Sequence, residues 1–578
     1  MSEPPSPPSW PSRDARHLLV SGAQMAALEE QLFASGLPVE ALMEKAALAV
    51  SRRLLAQHGP RLRNSGAVVL VGPGHNGGDG LVIARELHLA GIAVEIWSPF
   101  ERSKPLTALH RRHADWLGIA AVTGTPDPGG GALWIDALLG IGQRRPPGEL
   151  IEALLAQRQQ RAPQGLVAVD VPTGLCSDSG ICLGQVAARA SQTLCIGLIK
   201  QGLVQDQALA WVGQLERIDL GLPAPLLASL PQAQPLALAP GDLANAPWPR
   251  LEPAAGKYAR GRVLVVAGSR RFRGAGHLAL AGASAAGCGS LRAAGPAGLG
   301  DALQTSAPHV VVSRELDGDP HGNLLLAGLS CADLERLDAV LVGPGLGCPH
   351  PSTASIPSSL AAAERESWER LGAFGGLLVL DADGLNRLAV GVAEGVAGGS
   401  DPTPTAWLQQ RRGPTWITPH AGEFARLFPQ WAERPPLEAA AAAACQSGVA
   451  VVLKGARSVV AAPDGRCWQL LESEPNAARA GLGDVLAGYV TAVGAMALAA
   501  SGEPHRPHPA SELTTVLAPV LAAATLAHAE AGRRLGVLGG PGRCSPPAIA
   551  AELAGIGLDP ARSSGDSGAA WSATPSQN

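Results

Sequence analysis

The stretch Asn476–Gly488, NAARAGLGDVLAG, combines a glycine-rich turn, a carboxylate and the start of a long apolar helix. Gly481 and Gly483 have no Cβ, so their backbone N–H groups can surround an anion at the positive end of the helix that follows. Asp484 comes directly after this turn and could accept a proton from a hydroxyl that attacks a phosphoryl group. The stretch therefore predicts a phosphoryl-transfer site. A helix N-cap at Asp484 explains the same residues equally well, and other parts of the chain have to decide between the two.

Length and composition exclude several classes of protein. A chain of 578 residues is too long for one hydrophobic core and predicts two to four domains, for which two large ones would suffice. The 45 basic and 49 acidic residues include no basic run, which argues against a nucleic-acid partner. Nine scattered cysteines without CxxC pairs predict reduced thiols in a cytoplasmic protein, with neither disulfides nor a zinc site.

Two segments bear on membrane targeting. The N-terminal sequence MSEPPSPPSWPSRD is rich in proline and serine and has no apolar core, so we expect a disordered tail over residues 1–14 and no signal peptide. The apolar run Val485–Ala500 is interrupted by glycines and falls short of the roughly 20 residues that span a bilayer. We therefore expect a buried core helix there and no membrane partner.

The first half of the chain alternates strands and helices. Leu18–Leu55 has the apolar spacing of two helices, and Ala67–Val71 is a strand followed by the glycine loop Gly72–Gly80 and a helix over Leu81–Leu89. Such a loop suits phosphate binding, although a plain tight connection is about as common. Further strands are predicted at Val94–Trp97, Ala132–Ile135, Leu166–Val169 and Thr193–Ile196. This alternation predicts a mostly parallel sheet flanked by helices.

Polar residues follow three of these strands at their carboxyl ends, where ligands collect in such folds. They are Asn76, Asp136, and Asp170 with Thr173. Each alone could be a helix cap or a loop hydrogen-bonder. Together their oxygen chemistry indicates a hard cation bound beside a sugar or phosphate.

Four motifs in this half resemble the NAD(P)H-hydrate epimerase family in order and spacing, over roughly residues 15–222. They are GPGHNGGDGLVIAR (72–85), DALLGIG (136–142), DVPTGL (170–175) and LIKQGL (198–203). The resemblance implies a Rossmann-like domain that interconverts the R and S forms of hydrated NAD(P)H at C6 of the nicotinamide ring. It implies potassium ligands at Asn76, Asp136 and Thr173, and an acid/base at Asp170. The implied substrate contacts are His75, Asn76, Gly77, Gly78, Asp79, Gly140, Ile141, Gly142, Gln143, Arg144, Arg145, Pro146 and Asp170.

Three positions depart from the usual pattern of that family. His75 stands where a second Asn is usual, and Thr173 where Ser is usual. Thr173 keeps the hydroxyl, so potassium binding should survive. Arg144 lies near a position that some members fill with Lys, and because arginine stays protonated it could supply only charge, not a base.

The second half begins after a proline-rich stretch, predicted as a linker over residues 223–253. Strands are predicted at Arg262–Val266, Ala339–Val342, Leu377–Leu380, Trp416–Thr418 and Val449–Leu453. They run into GSRRFRGAG (268–276), GPGLG (343–347), DADGLN (381–386), PHAGEF (419–424) and KGARS (454–458), in that order. An Ala-rich helix follows the first of these loops and should pack closely, and Pro349–Arg370 is predicted to be a surface insertion.

These second-half motifs resemble the ADP-dependent NAD(P)H-hydrate dehydratase family, which has a ribokinase-like fold, over roughly residues 245–555. The resemblance favours the catalytic interpretation of Asp484 over the N-cap. It implies a site for the hydrated dinucleotide at Ala275, Gly345, His420 and Asp484, with Asp484 as the base. The implied nucleotide contacts are Lys454, Gly455, Ala456, Arg457, Ser458 and Gly483. Gly384 stands where the family more often has Ala, and His420 could instead be a structural hydrogen-bonder.

Taken together, the two resemblances predict a bifunctional repair enzyme, in which the first domain supplies the isomer that the second consumes. The expected domains are 15–222 and 254–558, with a further disordered tail at 559–578. The expected ligands are potassium in the first domain, magnesium and ADP in the second, and hydrated NADH and NADPH in both; a homo-oligomer is also expected. Two alternatives stay open at this point: a kinase of a small hydroxylated metabolite, and a first domain that binds a nucleotide without catalysis.

Overall fold

The computed structural model describes residues 10–250, 252–348, 358–390, 403–501 and 509–556. The chain divides into two compact units. We call Ser12–Ala237 the N-terminal unit, and the residues from Leu238 onwards, with Trp10 and Pro11, the C-terminal unit.

The N-terminal unit is built from nine strands and seven α-helices within its described residues. Its strands are β1 Leu19–Val20, β2 Ala67–Val71, β3 Val94–Trp97, β4 Ala120–Ala121, β5 Leu133–Ala137, β6 Leu166–Val169, β7 Gln192–Ile196, β8 Ile199–Lys200 and β9 Gln214–Ile218. Its helices are α1 Gly22–Ala34, α2 Val39–Ser65, α3 His75–Leu89, α4 Pro105–Trp116, α5 Glu149–Arg161, α6 Leu209–Val212 and α7 Ala224–Ala228.

Seven of these strands form one sheet in the order β4-β3-β2-β5-β6-β7-β9, and every pair in it is parallel. The central strands are continuous apolar runs because helices cover both faces of a parallel sheet, as in AVVLV of β2, which is buried throughout. The remaining strands, β1 and β8, form a small parallel pair that places Val20 beside Lys200. The predicted α/β class of this unit is confirmed.

The C-terminal unit contains a larger sheet. Its strands are β10 Leu236–Leu238, which begins at the end of the N-terminal unit, β11 Arg262–Val266, β12 Ser290–Pro296, β13 Val311–Leu316, β14 Ala339–Val342, β15 Leu377–Leu380, β16 Thr415–Ile417, β17 Ala450–Leu453, β18 Val459–Ala461 and β19 Cys467–Leu470. Its helices are α8 Arg273–Ala286, α9 Leu299–Ser306, α10 Cys331–Leu334, α11 Ser358–Ala373, α12 Asp383–Ala389, α13 Pro404–Gln409, α14 Ala421–Leu427, α15 Pro436–Ser447, α16 Leu482–Ala500, α17 Ala510–Gly539 and α18 Pro546–Gly555.

The sheet order is β10-β19-β18-β17-β16-β15-β14-β11-β12-β13. Strands β11 to β17 run parallel, and the hairpins β17–β18 and β18–β19 are antiparallel. Helices α8 and α16 pack through small residues: a Cβ on Gly282 would overlap the Val485 carbonyl, and one on Gly488 would overlap the Ala279 carbonyl. The predicted close packing of the Ala-rich helix is therefore confirmed.

Three local predictions differ from the structure. The glycine loop is short, because α3 already begins at His75. The predicted surface insertion contains part of α11, whose Trp368 is 1% exposed, because an apolar face of that helix packs into the core; residues 349–357 lie outside the described residues. The proline-rich linker holds α7 and β10, since Leu226, Leu227 and Leu238 find buried positions there.

The chain ends bear on the predicted tails. Trp10 is ordered against the C-terminal unit, where its indole N–H donates to the Asp242 carbonyl (3.1 Å) and its own carbonyl accepts from Trp468 Nε1 (3.2 Å). The structure thus differs from a tail that is disordered as far as residue 14, because a large aromatic side chain buries surface there. Residues 1–9 and the predicted C-terminal tail lie outside the described residues.

Two helices, α16 and α17, are long and apolar enough to cross a membrane by length and composition alone. Their apolar windows are 72% and 61% buried inside the unit, as in the core helix of a globular protein. The predicted core helix over Val485–Ala500 is thus confirmed by its burial. All nine cysteines are free thiols.

Candidate functional site

In the N-terminal unit the turn between β2 and α3 is tight because glycines let backbone approach backbone. A Cβ on Gly77 would overlap the Gly72 carbonyl oxygen, and one on Gly72 would overlap the Leu138 carbonyl oxygen. The missing side chains let α3 begin early and pack against the end of β5. Asn76 therefore lies in the first turn of α3, and Asp79 follows three residues later on the same face of the helix.

Asp136 and Thr173 form a buried pair at the carboxyl ends of β5 and β6. The Thr173 hydroxyl donates to Asp136 Oδ1 (2.7 Å), and the Thr173 N–H donates to Oδ2 (2.8 Å). Burial raises the pKa of Asp136 to about 6, although the hydrogen bonds from Thr173 and Leu138 oppose the rise. Nearby, the Asn76 amide N–H donates to the Val169 carbonyl (3.4 Å), while its buried Oδ1 has no hydrogen-bond partner within the described ranges.

Asp170 follows β6 in a left-handed conformation, with φ of 67°, which is costly for a residue other than glycine. Its Oδ1 accepts hydrogen bonds from Lys200 Nζ (2.5 Å) and from the Ile196 N–H (3.3 Å). Its Oδ2 lies 3.3 Å from the position of a Cβ on Gly140, and Asn76 Cβ lies at the same distance from that point. The structure thus brings Asn76, Gly140 and Asp170 together.

The loop Gly140–Pro146 divides into internal and exposed parts. The Gln143 side chain is buried, donates to the carbonyls of Leu139 and Pro172 (3.3 Å each) and accepts from the Gly174 N–H (2.6 Å). Its amide is therefore used inside the protein. Gly142, Arg144, Arg145 and Pro146 are exposed, Ile141 is half-buried, and His75 is exposed at the start of α3.

In the C-terminal unit the structure decides between the two interpretations of Asp484. Helix α16 begins at Leu482, and its N-cap is Gly481 with φ of 91°. Asp484 is the third helical residue, so the N-cap interpretation is wrong. Burial, and next the charge of Asp381, raise the pKa of Asp484 to about 7, while Lys454 acts in the opposite direction.

Three adjacent strands bring a charged cluster to the start of α16. Lys454, after β17, donates from Nζ to Asp381 Oδ1 (2.6 Å), and the Thr418 hydroxyl donates to the same oxygen (2.8 Å). Nζ lies 3.3 Å from the position of a Cβ on Gly483 and 3.9 Å from Glu423 Oε2. The predicted residues Lys454, Gly483 and Asp484 thus lie together at one helix N-terminus, a favourable place for an anion.

The other predicted residues of this unit lie at neighbouring strand ends. A Cβ on Gly345 would be 2.6 Å from Ala275 Cβ, so the first two loops of the unit touch. His420 caps α14: its Nδ1 accepts from the N–H of Gly422 (3.0 Å), and its side chain is 55% exposed. In the hairpin after Lys454, Gly455 and Ala456 are exposed, Arg457 is buried, and Ser458 Oγ lies 3.3 Å from both the N–H and the carbonyl of Gly455.

The two sites therefore offer different chemistry. The N-terminal site holds an oriented carboxylate beside a buried set of neutral and acidic oxygens, which suits proton transfer near a hard cation. The C-terminal site combines an ammonium group, a helix N-terminus and a carboxylate that titrates near neutrality, which suits phosphoryl transfer from an anionic donor.

The sequence of this chain matches two known protein families. Residues 263–538 match the family described as NAD(P)H-hydrate dehydratase, and residues 39–202 match the YjeF-related protein N-terminus. The chain is 42% identical to the bifunctional NAD(P)H-hydrate repair enzyme Nnr of Gloeobacter violaceus, over 82% of this chain and 88% of that protein. The protein of the same name from Synechocystis sp. is 39% identical over 82% of this chain and 84% of its own length.

The chain belongs to the bifunctional NAD(P)H-hydrate repair enzyme family. It is thus an enzyme with an isomerase part and a lyase part, as the motifs predicted. Among solved structures, an ADP/ATP-dependent NAD(P)H-hydrate dehydratase from Bacillus subtilis, co-crystallized with ATP/Mg²⁺, covers 55% of this chain and 96% of its own length, with 20% identity and a TM-score of 0.39.

One departure of this repair enzyme from its family has a physical explanation. A Cβ on Gly384 would lie 2.5 Å from the Val342 carbonyl oxygen, so in this backbone an alanine requires the loop after β14 to shift. The neighbouring Gly343 has φ of 142°, and a Cβ there would overlap the Asp381 carbonyl. Glycine at both positions lets the loops after β14 and β15 lie in contact.

The sequence missed several charged residues of the repair enzyme's two sites. Lys200 and Glu29 belong to the surroundings of Asp170, and burial raises the pKa of Glu29 to about 7. Asp381 and Glu423 surround Lys454. Lys200, Asp381 and Glu423 all stood in quoted motifs, and a polar residue directly after a buried strand was a signal that could have singled out Asp381. Glu29 had no such signal, because its neighbours come from distant parts of the chain.

Proposed function

We propose that the N-terminal unit epimerises hydrated NADH and NADPH at C6, and that the C-terminal unit dehydrates the S form with ADP as phosphoryl donor. The products of the second reaction are NAD(P)H, AMP and phosphate. One observation carries the proposal: Asp484, with a pKa raised to about 7, lies in the first turn of α16 beside Gly483 and the Lys454 ammonium. A base that titrates near neutrality is matched to removing a hydroxyl proton at physiological pH.

The dehydration then follows in two steps. Asp484 takes the proton of the C6 hydroxyl, and that oxygen attacks the terminal phosphorus of ADP while the bond to the AMP oxygen breaks. Next the C6–O bond breaks with loss of a proton from C5, which releases phosphate and restores the C5=C6 double bond of the reduced nicotinamide. Phosphorylation serves to turn hydroxide into a better leaving group.

Residues around Asp484 would stabilise the charge that spreads over the transferred phosphoryl group. Lys454 supplies a positive charge, and the N–H groups of the first turn of α16 point toward the same region. Magnesium would supply further positive charge to the phosphates. The buried carboxylates of Asp381 and Glu423 at this edge are oxygen donors of the kind that Mg²⁺ takes beside a nucleotide.

For the epimerisation, Asp170 would exchange the proton of the C6 hydroxyl, with the dinucleotide held along His75–Asp79 and the Gly140–Pro146 loop. The residues proposed for potassium fit a hard cation. Asn76 offers a buried Oδ1 without a partner in the described ranges, and Asp136 and Thr173 offer oxygens that are already buried. The ion would supply a fixed positive charge that favours the ionised form of Asp136.

Two further expectations belong to this proposal. We place the protein in the cytoplasm, supported by nine cysteines that are all free thiols. We also propose a homo-oligomer, supported only by resemblance to the family, and light scattering of the purified protein would measure it.

The decisive experiment is an assay of purified protein with hydrated NADH and either ADP or ATP. We expect recovery of NADH absorbance with stoichiometric free phosphate, and interconversion of the two hydrate epimers when the nucleotide is omitted. Accumulation of a stable phosphorylated product would instead indicate a kinase. Absence of epimerisation would leave the N-terminal unit as a nucleotide-binding module.

A further inference from the structure

Lys200 is an almost fully buried charged side chain beside the proposed epimerase site. It is 1% exposed and lies at the end of β8, where the register of the small sheet pairs it with Val20 of β1. A buried lysine is costly unless its charge is compensated. The groups that compensate the charge of Lys200 therefore indicate its role.

Three acceptors surround its ammonium group. Nζ donates to Asp170 Oδ1 at 2.5 Å, to the Ile196 carbonyl at 2.6 Å and to Cys195 Sγ at 3.6 Å. An ammonium has three N–H donors, so all of them are used. Burial is the largest single effect and lowers the pKa of Lys200, but Asp170, Cys195 and Glu29 together outweigh it, so the pKa is raised. Lys200 is therefore a fixed cation that does not give up its proton.

This arrangement makes the two oxygens of Asp170 unequal. Oδ1 is turned toward Lys200 and the Ile196 N–H, inside the unit. Oδ2 accepts no protein hydrogen bond in the described part of the chain, and it faces Gly140 beside Asn76. The backbone at Asp170 is left-handed, with φ of 67°, a conformation that is costly for a residue other than glycine and is found where the surrounding structure enforces it.

Other charges face the same pair. Glu29 on α1 and Asp79 on α3 both interact with Asp170 and Lys200, and burial raises the pKa of each of these carboxyls. Glu29 is brought there by β1, which precedes α1 and pairs with the strand that carries Lys200. Lys200 is thus a cation that opposes several acidic groups at this strand edge, and Lys104 acts in the same direction on Glu29.

We infer that Lys200 is a positioning residue for the epimerisation: it holds Asp170 so that Oδ2 alone faces the substrate. The inference rests on the proposed function. Oδ2 takes the proton from the C6 hydroxyl oxygen as the C6–N1 bond breaks, which leaves an aldehyde at C6 and the electron pair of that bond on the ring nitrogen. The nitrogen then attacks the other face of the aldehyde, the C6–N1 bond reforms with inverted configuration, and Oδ2 returns the proton to the oxygen, so no net proton is gained or lost. Lys200 itself touches no substrate in this account, and it acts only through Asp170.

The first test compares Lys200→Ala, Lys200→Arg and a matched control, Lys45→Met. Lys45 is a lysine of the same unit whose Nζ also donates to a carbonyl, that of Leu220 (2.6 Å). Misplacing a catalytic group by about 1 Å costs on the order of 10²-fold in rate. We therefore expect Lys200→Ala to lower the kcat of epimerisation by about 10²-fold with KM nearly unchanged, Lys200→Arg to lose less, and Lys45→Met to keep the wild-type kcat.

Two readouts separate positioning from a merely structural ion pair. Added methylammonium should restore part of the kcat of Lys200→Ala in a saturable way, because it can place a cation in the vacated space. In an Asp170→Asn background, removing Lys200 should cause no further loss, since residues that act as a unit are not additive. Dehydration by the same proteins reports whether the chain has folded.

The outcomes are distinct. Wild-type kcat in Lys200→Ala overturns the inference, as does full additivity with Asp170→Asn. If Lys200→Ala fails to fold, a double variant that combines Lys200→Met with Asp170→Asn removes both charges. Its kcat is then compared with that of Asp170→Asn alone, and a further loss of kcat in the double variant overturns the inference. Failure of the wild-type protein to epimerise at all contradicts the proposed function instead.

Discussion

At the scale of single residues, Asp484 should separate the two activities. Replacing it by asparagine removes the base but keeps the size of the side chain. Loss of a general base typically costs about 10²–10⁴-fold in rate, so we expect Asp484→Asn to lose dehydration by that factor and to keep epimerisation. The measurement is NADH recovery with ADP and magnesium.

A matched control for this variant is Asp338→Asn. Asp338 is a buried aspartate of the same unit, ion-paired with Arg262 (3.0 Å), but it precedes β14 and so lies at the opposite end of the sheet. It should lower stability without a specific effect on kcat. Normal dehydration by Asp484→Asn would remove Asp484 from the mechanism.

The pH dependence of dehydration follows from the same carboxyl group. Burial and the Asp381 charge raise the pKa of Asp484 to about 7, and a base works only when it is deprotonated. The rate should therefore fall about tenfold per pH unit below pH about 7 and level off above it. Measuring kcat/KM from about pH 5 to 9 tests this, and a flat profile across pH 7 would contradict it.

At the scale of elements, the start of α3 depends on a glycine. A Cβ on Gly77 would lie 1.9 Å from the Gly72 carbonyl oxygen, so an alanine there requires the backbone to shift. Overpacking of this kind costs about 1–3 kcal/mol. We expect Gly77→Ala to lower the melting temperature and the epimerase activity together.

The control for this variant is Gly74→Ala, three residues before Gly77. A Cβ on Gly74 would have no atom within 4 Å, and its φ of −93° suits any residue. It should leave the melting temperature almost unchanged. Equal stability of the two variants in a thermal melt would show that the tight approach at Gly77 is unimportant.

The strand ends β2, β5 and β6 should share one potassium ion. Asp136→Ala removes its carboxylate, and Thr173→Val removes a hydroxyl while keeping the shape of the side chain. We expect both to raise the potassium concentration that half-saturates epimerisation and to leave dehydration unchanged. Because Asp136 is buried and hydrogen-bonded, its loss also costs stability, about 1–3 kcal/mol.

Potassium titration of epimerisation measures the effect, and Thr173→Val is the more informative variant because it disturbs the fold less. If its potassium dependence equals that of the wild-type protein, the ion binds elsewhere or is not required.

At the scale of the whole molecule, the two units should fold and work separately. The proline-rich stretch over residues 223–253 was predicted to be the linker, and the structure places the division within it, between Ala237 and Leu238. The Ala237 N–H donates to the His17 carbonyl (2.6 Å), whereas the Leu238 carbonyl accepts from the Leu471 N–H (3.0 Å). We therefore expect residues 12–237 to epimerise and residues 238–578 to dehydrate when expressed alone.

Each fragment carries its own sheet, apart from the first two residues of the edge strand β10, and its complete set of proposed site residues. Each also exceeds the length at which a domain buries a sufficient core. The test assays both fragments, alone and mixed. Activity that appears only on mixing would show that the units depend on each other.

Much of this architecture could be predicted from the sequence alone. Strands such as Ala67–Val71, Leu166–Val169 and Leu377–Leu380 agree with the structure to the residue, because an uninterrupted apolar run is a local signal of a strand buried on both faces. The sequence also placed Asp484 at the start of a helix and Asp170 at a strand end, since glycine turns and strand ends are local as well.

Only the tertiary structure decided how the charged groups meet. The pairing of Lys200 with Asp170, and of Lys454 with Asp381, joins residues 30 and 73 positions apart. The start of α3 at His75 depends on the contact of Gly77 with Gly72 and of Gly72 with Leu138. The physical reason is that the apolar pattern of a strand lies in residues that are neighbours in the sequence. Burial and charge pairing instead depend on the strand order of the sheet, which decides which strand ends lie side by side.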